Sequence, residues 1–424
     1  MGTILPPLLR MLFPGHRRHF TFTRQHVPMP EPPERLNLYV HIPFCRRICA
    51  FCPYVKQVYA SGVALSYMEA MRTELQRYRD AWGDRPVESV YFGGGTPSLA
   101  PEIVNRVLES MSGGLRSSTE IGVEVHPIDV RPRLLRSLIE SGVTMVSLGV
   151  QSFDDRHLAM LGRGYDARQA YEASELIMSA GFAAVDIDLI FAIPGQTEQE
   201  AVTDVSTAFA LGAHQVSAYP LIRFAHTSLG SQLSNAHASS PSWNKERRML
   251  KAIVTQGRDA GYERSSIWSF TRPGAPRYTT VTRDSFIGIG AGASSRMGDY
   301  FWVNTFHVDE YIRSTESGTP ARLATRLDEG DRMAYWLFWR CYDTIIDHAR
   351  FRSAFGRNMP RRISAALMLL DHAGLARRAS HSAFRLTDPG AYLFHLIEKH
   401  YTHAYLERLW TACLHDPWPE AVTL

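Results

Sequence analysis

Three cysteines in one short loop are the residues of this chain whose type and spacing most directly predict chemistry. Cys45, Cys49 and Cys52 follow the pattern C-x3-C-x2-C. Three thiolates can hold three corners of a cubane iron-sulfur cluster and leave the fourth iron open to another ligand. Zinc is the alternative, but a closed structural zinc site needs four ligands. His41 is the obvious fourth ligand; we expect its side chain to point away from that of Tyr39, and the spacing does not settle its role.

The sequence around these cysteines resembles the cluster-binding loop of the radical S-adenosylmethionine (SAM) superfamily, in the branch of the oxygen-independent coproporphyrinogen III oxidases. The resemblance begins with residues 39–52 and continues through further motifs in the order of the family. These motifs are Phe92–Ser98, Val123–Pro127, Ser147–Phe153 with Leu161–Arg163, and Asp186–Thr197. The similarity spans residues 36–230 and continues more weakly towards residue 315.

The resemblance implies a [4Fe-4S] cluster on the three cysteines and SAM at the open iron. It assigns SAM contacts to Tyr39, Gly94, Gly95, Thr96, Glu124, Gln151, Arg163, Asp188 and Ile190. The planar fork of an arginine suits the SAM carboxylate, and Asp188 can accept hydrogen bonds from ribose hydroxyls or an amine. Asp186 lies two residues away on the same face, and only the family motif favours Asp188. In the family, the reduced cluster cleaves SAM to a radical that abstracts hydrogen.

The residues after the third cysteine depart from two porphyrin-related branches of the family. The chain reads Pro53-Tyr-Val-Lys56 where the coproporphyrinogen oxidases have Gly-Cys, and it lacks the Cys-Asp-Phe run of the haem-chaperone branch. We therefore find it more similar to the class C radical SAM methyltransferases, including those that help to build cyclopropanes. That resemblance implies two SAM molecules in one pocket and transfer of a methyl or methylene group to an sp2 carbon of a small natural product.

This hypothesis assigns further roles around the pocket. Asp188 and Tyr219 are predicted to act in catalysis, and Ile190, Pro220 and Leu221 to form apolar walls for the second SAM, with ordinary barrel lining as the alternative. Candidate substrate contacts are Trp268, Tyr278 and Arg283. The expected partners are an electron donor such as flavodoxin or ferredoxin and a second methyltransferase-like enzyme acting downstream. The alternative functions are porphyrinogen decarboxylation and haem binding or delivery.

Six strand-helix units must position these residues. The strand candidates are 38–42, 89–92, 121–125, 145–150, 185–190 and 215–219, with amphipathic stretches at 67–82, 101–111, 132–141, 167–180 and 198–211. Such a series predicts parallel strands with crossover helices, and six units are fewer than the eight of a complete barrel. The expected fold is α/β: a partial (β/α)6 radical SAM barrel with a β-rich cover and a mostly helical, winged-helix-like C-terminal domain. The predicted boundaries are 1–35 for an N-terminal extension, 36–230 for the barrel, 231–325 for the covering segment and 326–424 for the C-terminal domain.

Composition agrees with a large enzyme. The chain has 424 residues, of which 45% are hydrophobic and 21% charged, with a net charge of +4 and no strongly basic face that would predict nucleic-acid binding. Its N-terminal apolar run is broken by prolines and Arg10, so we expect neither a membrane span nor a signal peptide. Only Cys341 and Cys413 lie outside the cysteine loop, and a thiolate site points to a reducing, cytoplasmic location.

Overall fold

A parallel sheet of six strands forms the centre of the protein. The computed structural model describes residues 20–235, 242–279, 283–318 and 322–424. The six barrel strands are Leu36–Ile42, Val87–Gly94, Glu120–Val125, Met145–Gln151, Ala184–Phe191 and Gln215–Pro220. Each pairs in parallel with the next in chain order. The predicted α/β partial barrel is therefore confirmed.

Helices on the outside of the sheet connect consecutive strands. They are Ser61–Trp82, Pro101–Ser110, Pro132–Glu140, Asp155–Met160, Ala167–Met178 and Glu198–Ala210. The sequence encodes their starts: Asp166 and Thr197 both form reciprocal capping boxes, which satisfy free amide groups in the first turn. The apolar faces of these helices pack on the buried, nearly continuous apolar strands.

The sheet continues beyond the six barrel strands at both edges. Strand Ser269–Thr271 pairs antiparallel with Gln215–Pro220, and Ile287–Ile289 pairs in parallel with Leu36–Ile42. Glu263–Arg264 completes a nine-stranded sheet. The segment predicted to cover the barrel therefore adds strands to the barrel sheet. These strands supply hydrogen-bond partners to backbone groups that an open sheet edge would leave unpaired.

A second sheet brings both ends of the described chain together. Its strands, in order, are Ser294–Met297, Tyr300–Val303, Arg322–Arg326, Thr21–Gln25 and Ala421–Thr423. Three more helices are Ser228–Asn235, Trp243–Asp259 and Val308–Glu316, of which the second packs on the barrel helix Glu198–Ala210 and the third on Ser61–Trp82. Residues 21–25 of the predicted N-terminal extension are therefore tied to the C-terminal strand.

The C-terminal region is mostly helical, as predicted. Its helices are Glu329–Tyr342, His348–Phe355, Arg361–His372, Asp388–Tyr401 and Glu407–His415, and a small sheet joins Ile345–Asp347, Ala376–Arg378 and Ala383–Leu386. The helical period of residues 333–346 predicts one helix, but the helix ends at Tyr342, Thr344 adopts a positive φ of 61°, and the chain then enters a strand. A π-helical turn, Thr402–Leu406, joins the last two helices. None of the described helices is both long and apolar enough to cross a membrane.

Candidate functional site

The barrel surrounds a cavity of about 1170 Å³, and every residue predicted for the cluster, for SAM or for catalysis lines it. These residues are Tyr39, Cys45, Cys49, Cys52, Gly94, Gly95, Thr96, Glu124, Gln151, Arg163, Asp188, Ile190 and Tyr219. They come from different strands and loops because the carboxyl ends of parallel strands meet at one edge of a sheet. The tertiary structure thus brings motifs that are far apart in the chain to one place.

The three thiols lie in a setting that suits iron. Arg163 Nη1 donates to Cys49 Sγ at 3.2 Å, and Thr96 Oγ1 lies 3.5 Å from Cys45 Sγ. Burial raises the pKa of the Cys52 thiol to about 11. Bound iron ions would favour the thiolate form of these cysteines, against the effect of burial.

The arrangement does not suit zinc. Four ligands around zinc place neighbouring sulfur atoms about 3.8 Å apart. Among the described residues, only Asp154, His157 and Glu200 offer three ligand atoms within 4.8 Å of one another, so at least one pair of the three cysteine sulfurs is further apart than that.

His41, the candidate fourth zinc ligand, has both ring nitrogens engaged. Nε2 lies 2.8 Å from the carbonyl oxygen of Val55 and must donate to it, so Nδ1 accepts from the Tyr39 hydroxyl at 2.9 Å. The expectation that His41 points away from Tyr39 is wrong, because residues two apart on a strand share a face. His41 instead supports the loop from beneath.

The glycine turn packs directly on the cysteine loop. Gly94 has a φ of +113°, and a Cβ atom there would lie 2.6 Å from the His41 ring. A Cβ on Gly95 would lie 2.8 Å from the backbone of Pro43 and Phe44, and the Gly95 amide donates to Ile42 at 2.8 Å. These two positions require glycine for close approach of the backbones.

Glu124 joins the glycine turn to the cavity. Its Oε2 accepts from the Gly94 amide at 3.1 Å, and its Oε1 accepts from the Tyr91 hydroxyl at 2.8 Å. Burial raises the pKa of Glu124 to about 7, although both hydrogen bonds oppose the shift. The carboxylate is thus fixed in position, and each oxygen keeps a further lone pair with which to accept from a ligand.

Arg163 and Gln151 form the next part of the cavity wall. Besides Cys49, Arg163 donates to the Tyr165 hydroxyl at 2.9 Å and to the Gly149 carbonyl at 2.6 Å. Gln151 has a φ of 70° at a register shift of the fourth barrel strand. A positive φ outside glycine is uncommon and concentrates at functional sites.

Comparison with known proteins identifies this arrangement. The model of the radical SAM superfamily matches residues 39–208. The heme chaperone HemW of Lactococcus lactis is 31% identical over 284 residues, which cover 66% of this chain and 74% of that protein. The chain belongs to the radical SAM superfamily. It lies in the branch that includes HemN and HemW.

Other relatives extend the match along the chain. HemW of Bacillus subtilis is 28% identical over 366 residues, covering 84% of this chain and 96% of that protein. Anaerobilin synthase of Escherichia coli O157:H7 is 26% identical and covers 85% of this chain and 82% of that protein. The solved coproporphyrinogen III oxidase HemN of Escherichia coli superposes with a TM-score of 0.73 at 22% identity, covering 86% and 89% of the two chains. The structural similarity to HemN establishes the fold.

Membership of the radical SAM superfamily implies a [4Fe-4S] cluster and SAM. Three thiols in one loop, a glycine turn without room for side chains, and a guanidinium beside one sulfur fit both groups. Cys45, Cys49 and Cys52 would hold the cluster. Glu124 and Arg163 would face the charged end of SAM.

The class C methyltransferase interpretation is wrong. It rested on a few residues after Cys52, whereas the similarity to HemW extends over 366 residues, and other relatives are an anaerobilin synthase and a coproporphyrinogen III oxidase. A loop beside a cluster site can vary while the rest of the ligand cavity is retained. The enzyme class, the natural-product substrate and the cyclopropane product assigned from that loop are withdrawn.

Asp188 and Asp186 occupy different environments in this radical SAM barrel. Asp188 is half-buried, and its Oδ2 accepts from Ser147 at 2.5 Å; burial raises its pKa to about 6. Asp186 lies deeper, where its Oδ2 accepts from Gln215 and Ser217, both at 2.8 Å, and burial together with the charge of Asp188 raises its pKa well above its usual value. Asp188 is thus the more accessible carboxylate for a ligand, and Asp186 is anchored in the barrel.

The residues predicted to wall a second SAM are partly core. Ile190 and Leu221 pack in an apolar cluster with Leu161, Ile193 and Leu229. Tyr219 is half-buried, lines the cavity and contacts the Trp268 ring edge-to-face at 5.8 Å. Two SAM molecules per site remain a prediction.

Two of the predicted substrate contacts, Trp268 and Arg283, bind other side chains of the protein. Trp268 Nε1 donates to His395 Nδ1 at 3.0 Å, and Arg283 forms an ion pair with Glu120 at the amino end of the third barrel strand. Tyr278 packs on Tyr91 with 5.1 Å between ring centroids. All three side chains line the cavity, and the contacts just described are contacts within the protein.

Sequence reasoning missed the aromatic lining of the cavity. The rings that contribute to it are Tyr54, just after Cys52, and Phe224, Phe338, Trp339, Tyr401, Tyr405 and Trp410. Tyr54 and Trp410 lie 5.7 Å apart, and Trp410 stacks on Phe224 at 5.4 Å. Glu398 on helix Asp388–Tyr401 also faces this space. The local signal was a helical period with aromatic residues, which equally indicates packing in a core.

Proposed function

We propose that this chain is a radical SAM protein that binds a porphyrin-type tetrapyrrole beside its cluster site. The observation that carries the proposal is one cavity with two kinds of lining. The cysteines and the polar groups of the family motifs form one part, and the aromatic rings named above, here called the aromatic wall, contribute another. Flat conjugated macrocycles pack favourably on aromatic faces. The volume of about 1170 Å³ is above the usual range for one small ligand and leaves room for SAM and a macrocycle together.

The names of the relatives support a tetrapyrrole as the ligand. They are a heme chaperone, an anaerobilin synthase and a coproporphyrinogen oxidase. The match to the heme chaperone of Bacillus subtilis covers 96% of that protein. An electron donor such as flavodoxin or ferredoxin is part of the proposal, because cluster chemistry with SAM consumes an electron.

A second candidate function is radical chemistry on the bound tetrapyrrole, of the kind that a porphyrinogen oxidase performs. The specific observation is that Glu124, Arg163 and Asp188 line the same cavity as the aromatic wall. When bound, the cluster and SAM supply a radical that abstracts hydrogen. The residues of this chain would hold the SAM carboxylate at Arg163, accept from its amino group at Glu124, and exclude water with the aromatic wall.

The test uses the full chain after anaerobic reconstitution of the cluster. Haem and coproporphyrinogen III are titrated separately, and SAM products are measured by mass spectrometry after chemical reduction. Binding of either tetrapyrrole at micromolar affinity supports the proposal. Formation of 5'-deoxyadenosine that depends on coproporphyrinogen and disappears in Cys52→Ala supports the second candidate. If the protein binds neither tetrapyrrole, the proposed function is rejected. The number of SAM molecules bound per chain tests the prediction of two SAM molecules in one site.

A further inference from the structure

The cysteine loop exposes apolar side chains on the side that faces solvent. Ile48 lies between two of the cysteines and is 40% exposed, and Val58 follows the third cysteine and is 58% exposed. Neither residue is among those that line the cavity, so their exposed surface lies outside the ligand site. The cysteine loop therefore has two faces, one towards the cavity and one towards solvent.

The backbone joins Val58 directly to one of the cluster cysteines. The short strands Phe44–Cys45 and Gln57–Val58 pair in parallel, with Cys45 opposite Val58. The amide of Tyr59 donates to the carbonyl oxygen of Cys45 at 3.0 Å. Val58 is thus separated from Cys45 by one peptide bond and one hydrogen bond. A protein that touches Val58 from outside has a short path to the cluster site.

The charge of this part of the sequence is positive. Residues 35–68 include no aspartate or glutamate and have four cations, namely Arg35, Arg46, Arg47 and Lys56. Arg46 pairs with Asp129 at 2.8 Å, and the Lys56 ammonium donates to the Tyr54 carbonyl at 2.9 Å. Within the described part of the chain, neither Arg47 nor Lys56 forms an ion pair. Two positive charges beside the cysteines therefore stay available to an outside group.

Arg47 and Lys56 lie where the two faces of the loop meet. Both line the cavity, and Arg47 is exposed beside Ile48, which lies outside it. A carboxylate on a cavity ligand and a carboxylate on a docked protein could each meet these cations. The exposed apolar residues and the backbone path to Cys45 lie on the solvent side, so they favour a docked protein.

An electron carrier is the kind of partner that fits this face. Electron transfer between proteins slows steeply with the distance between the two redox centres, so a carrier must dock close to the cluster. Such encounters use interfaces at the small end of the size range, and opposite charges on the two proteins speed their association. A small apolar area with positive charges at its rim therefore complements a carrier with an acidic rim around its redox group.

Resting on the electron donor that the proposed function includes, we infer that Arg47, Ile48, Lys56 and Val58 form the docking site for an acidic electron-transfer protein. One electron leaves the reduced carrier and enters the oxidised cluster, so the carrier is oxidised and the cluster reduced by one electron each. No proton or other atom is transferred. Because Ile48 and Val58 lie outside the cavity, the carrier can dock while the cavity holds its ligands.

The test measures binding of an acidic flavodoxin, in its oxidised form, to the reconstituted full-length protein by calorimetric titration at low and high salt. We expect Arg47→Glu to weaken binding roughly tenfold at low salt, because like charges then face each other, and high salt to shrink the difference. Arg47→Lys keeps the charge and should stay within about twofold of wild type. Val58→Ser removes apolar surface and should weaken binding about threefold at both salt concentrations.

The matched control is Arg136→Glu, which makes the same charge change at an exposed position on the barrel helix Pro132–Glu140 and should leave the affinity within about twofold of wild type. Iron per chain confirms that each variant holds its cluster. Reduction of the cluster is then followed by absorbance. Reduced flavodoxin should act more slowly on Arg47→Glu, whereas photoreduced deazariboflavin, a small uncharged reductant that needs no docking site, should reduce this variant as fast as wild type.

Equal effects of Arg47→Glu and Arg136→Glu on flavodoxin binding overturn the inference. So does a wild-type protein whose cluster deazariboflavin reduces but which does not bind flavodoxin. If Arg47→Glu weakens the binding of haem or coproporphyrinogen III and leaves flavodoxin binding unchanged, Arg47 serves the cavity ligand and the inference is overturned as well. Tetrapyrrole binding is titrated without any carrier, so its failure rejects the proposed function separately from these results.

Discussion

The indole N–H of Trp268 donates a 3.0 Å hydrogen bond to Nδ1 of His395, across 127 residues of sequence. His395 is fully buried and its Nε2 lies 2.8 Å from Oε1 of Glu246. Since Nδ1 accepts, Nε2 carries the proton and donates to the carboxylate. This chain of hydrogen bonds joins the barrel sheet to the C-terminal helix that carries Glu398, so it couples the stability of the fold to the shape of the cavity.

We expect Trp268→Phe to lower the free energy of unfolding by about 1–3 kcal/mol, because it leaves the buried Nδ1 of His395 without a donor. Urea unfolding monitored by circular dichroism measures this change. The control is Trp418→Phe, which removes the indole donor to Glu310 at a more exposed site and should cost less. Equal losses in the two variants would contradict the role of the buried bond.

Acid should weaken the same chain of hydrogen bonds through Glu246. Burial alone would raise its pKa, but the His395 hydrogen bond and the Lys399 charge lower it from 4.5 to about 2. An acid with a lowered pKa in the folded state stabilises the protein above its unfolded pKa, and this contribution is lost as the pH falls from about 4.5 towards 2. The contribution is at most about 3 kcal/mol.

We therefore expect Glu246→Gln to be less stable than wild type at pH 5.5 and the difference to shrink by at least half at pH 2.5. Urea unfolding at both pH values gives the two differences. A gap that stays constant between them would show that Glu246 does not carry this pH dependence.

Replacement of Cys52 by alanine should remove most of the bound iron after anaerobic reconstitution, because two thiolates cannot hold three corners of a cubane. Iron per chain and the visible absorbance of the cluster measure the loss. Cys341→Ala is the matched control: this thiol is buried in the C-terminal region and is not among the residues that line the cavity. Full iron content in Cys52→Ala would reject the assignment of the cluster ligands.

Arg163→Lys should weaken SAM binding by roughly tenfold or more while the protein stays folded, because a lysine cannot reproduce a planar fork. Calorimetric titration of SAM into reconstituted protein gives the affinity. Arg168→Lys is the control, since Arg168 is exposed and pairs with Glu172 on its own helix. Unchanged affinity in Arg163→Lys would remove Arg163 from the SAM site.

Gly94→Ala should lower the free energy of unfolding by more than the cost of placing an alanine at a positive φ. Gly181 has a comparable φ of +89° with open space around it, so Gly181→Ala should cost only about 1–2 kcal/mol. Gly94→Ala adds a clash with the His41 ring, which two hydrogen bonds hold in place. We expect a further loss of about 2 kcal/mol or more and a lower iron content. Similar losses of stability in the two variants would contradict the close packing of the glycine turn on the cysteine loop.

Local sequence was sufficient for the barrel. Every end of the six strands lies within two residues of its predicted limit, because each strand is a short apolar run bounded by turn residues. The same pattern failed at Ile345 and Ile346, where a helical period continued into a strand after Thr344. The orientation of His41 was also predicted wrongly, although alternation along the strand from Tyr39 was enough to place it correctly.

Local sequence is enough to predict the cysteine loop, the glycine turn and the order of the family motifs, because spacing within a loop and periodicity along a strand are local properties. It does not predict that the Trp410 ring and the Glu398 carboxyl share one cavity with those motifs. Their positions depend on the packing of the C-terminal helices on the barrel through Trp268, His395 and Glu246. No local pattern encodes such contacts, because they join residues more than a hundred positions apart.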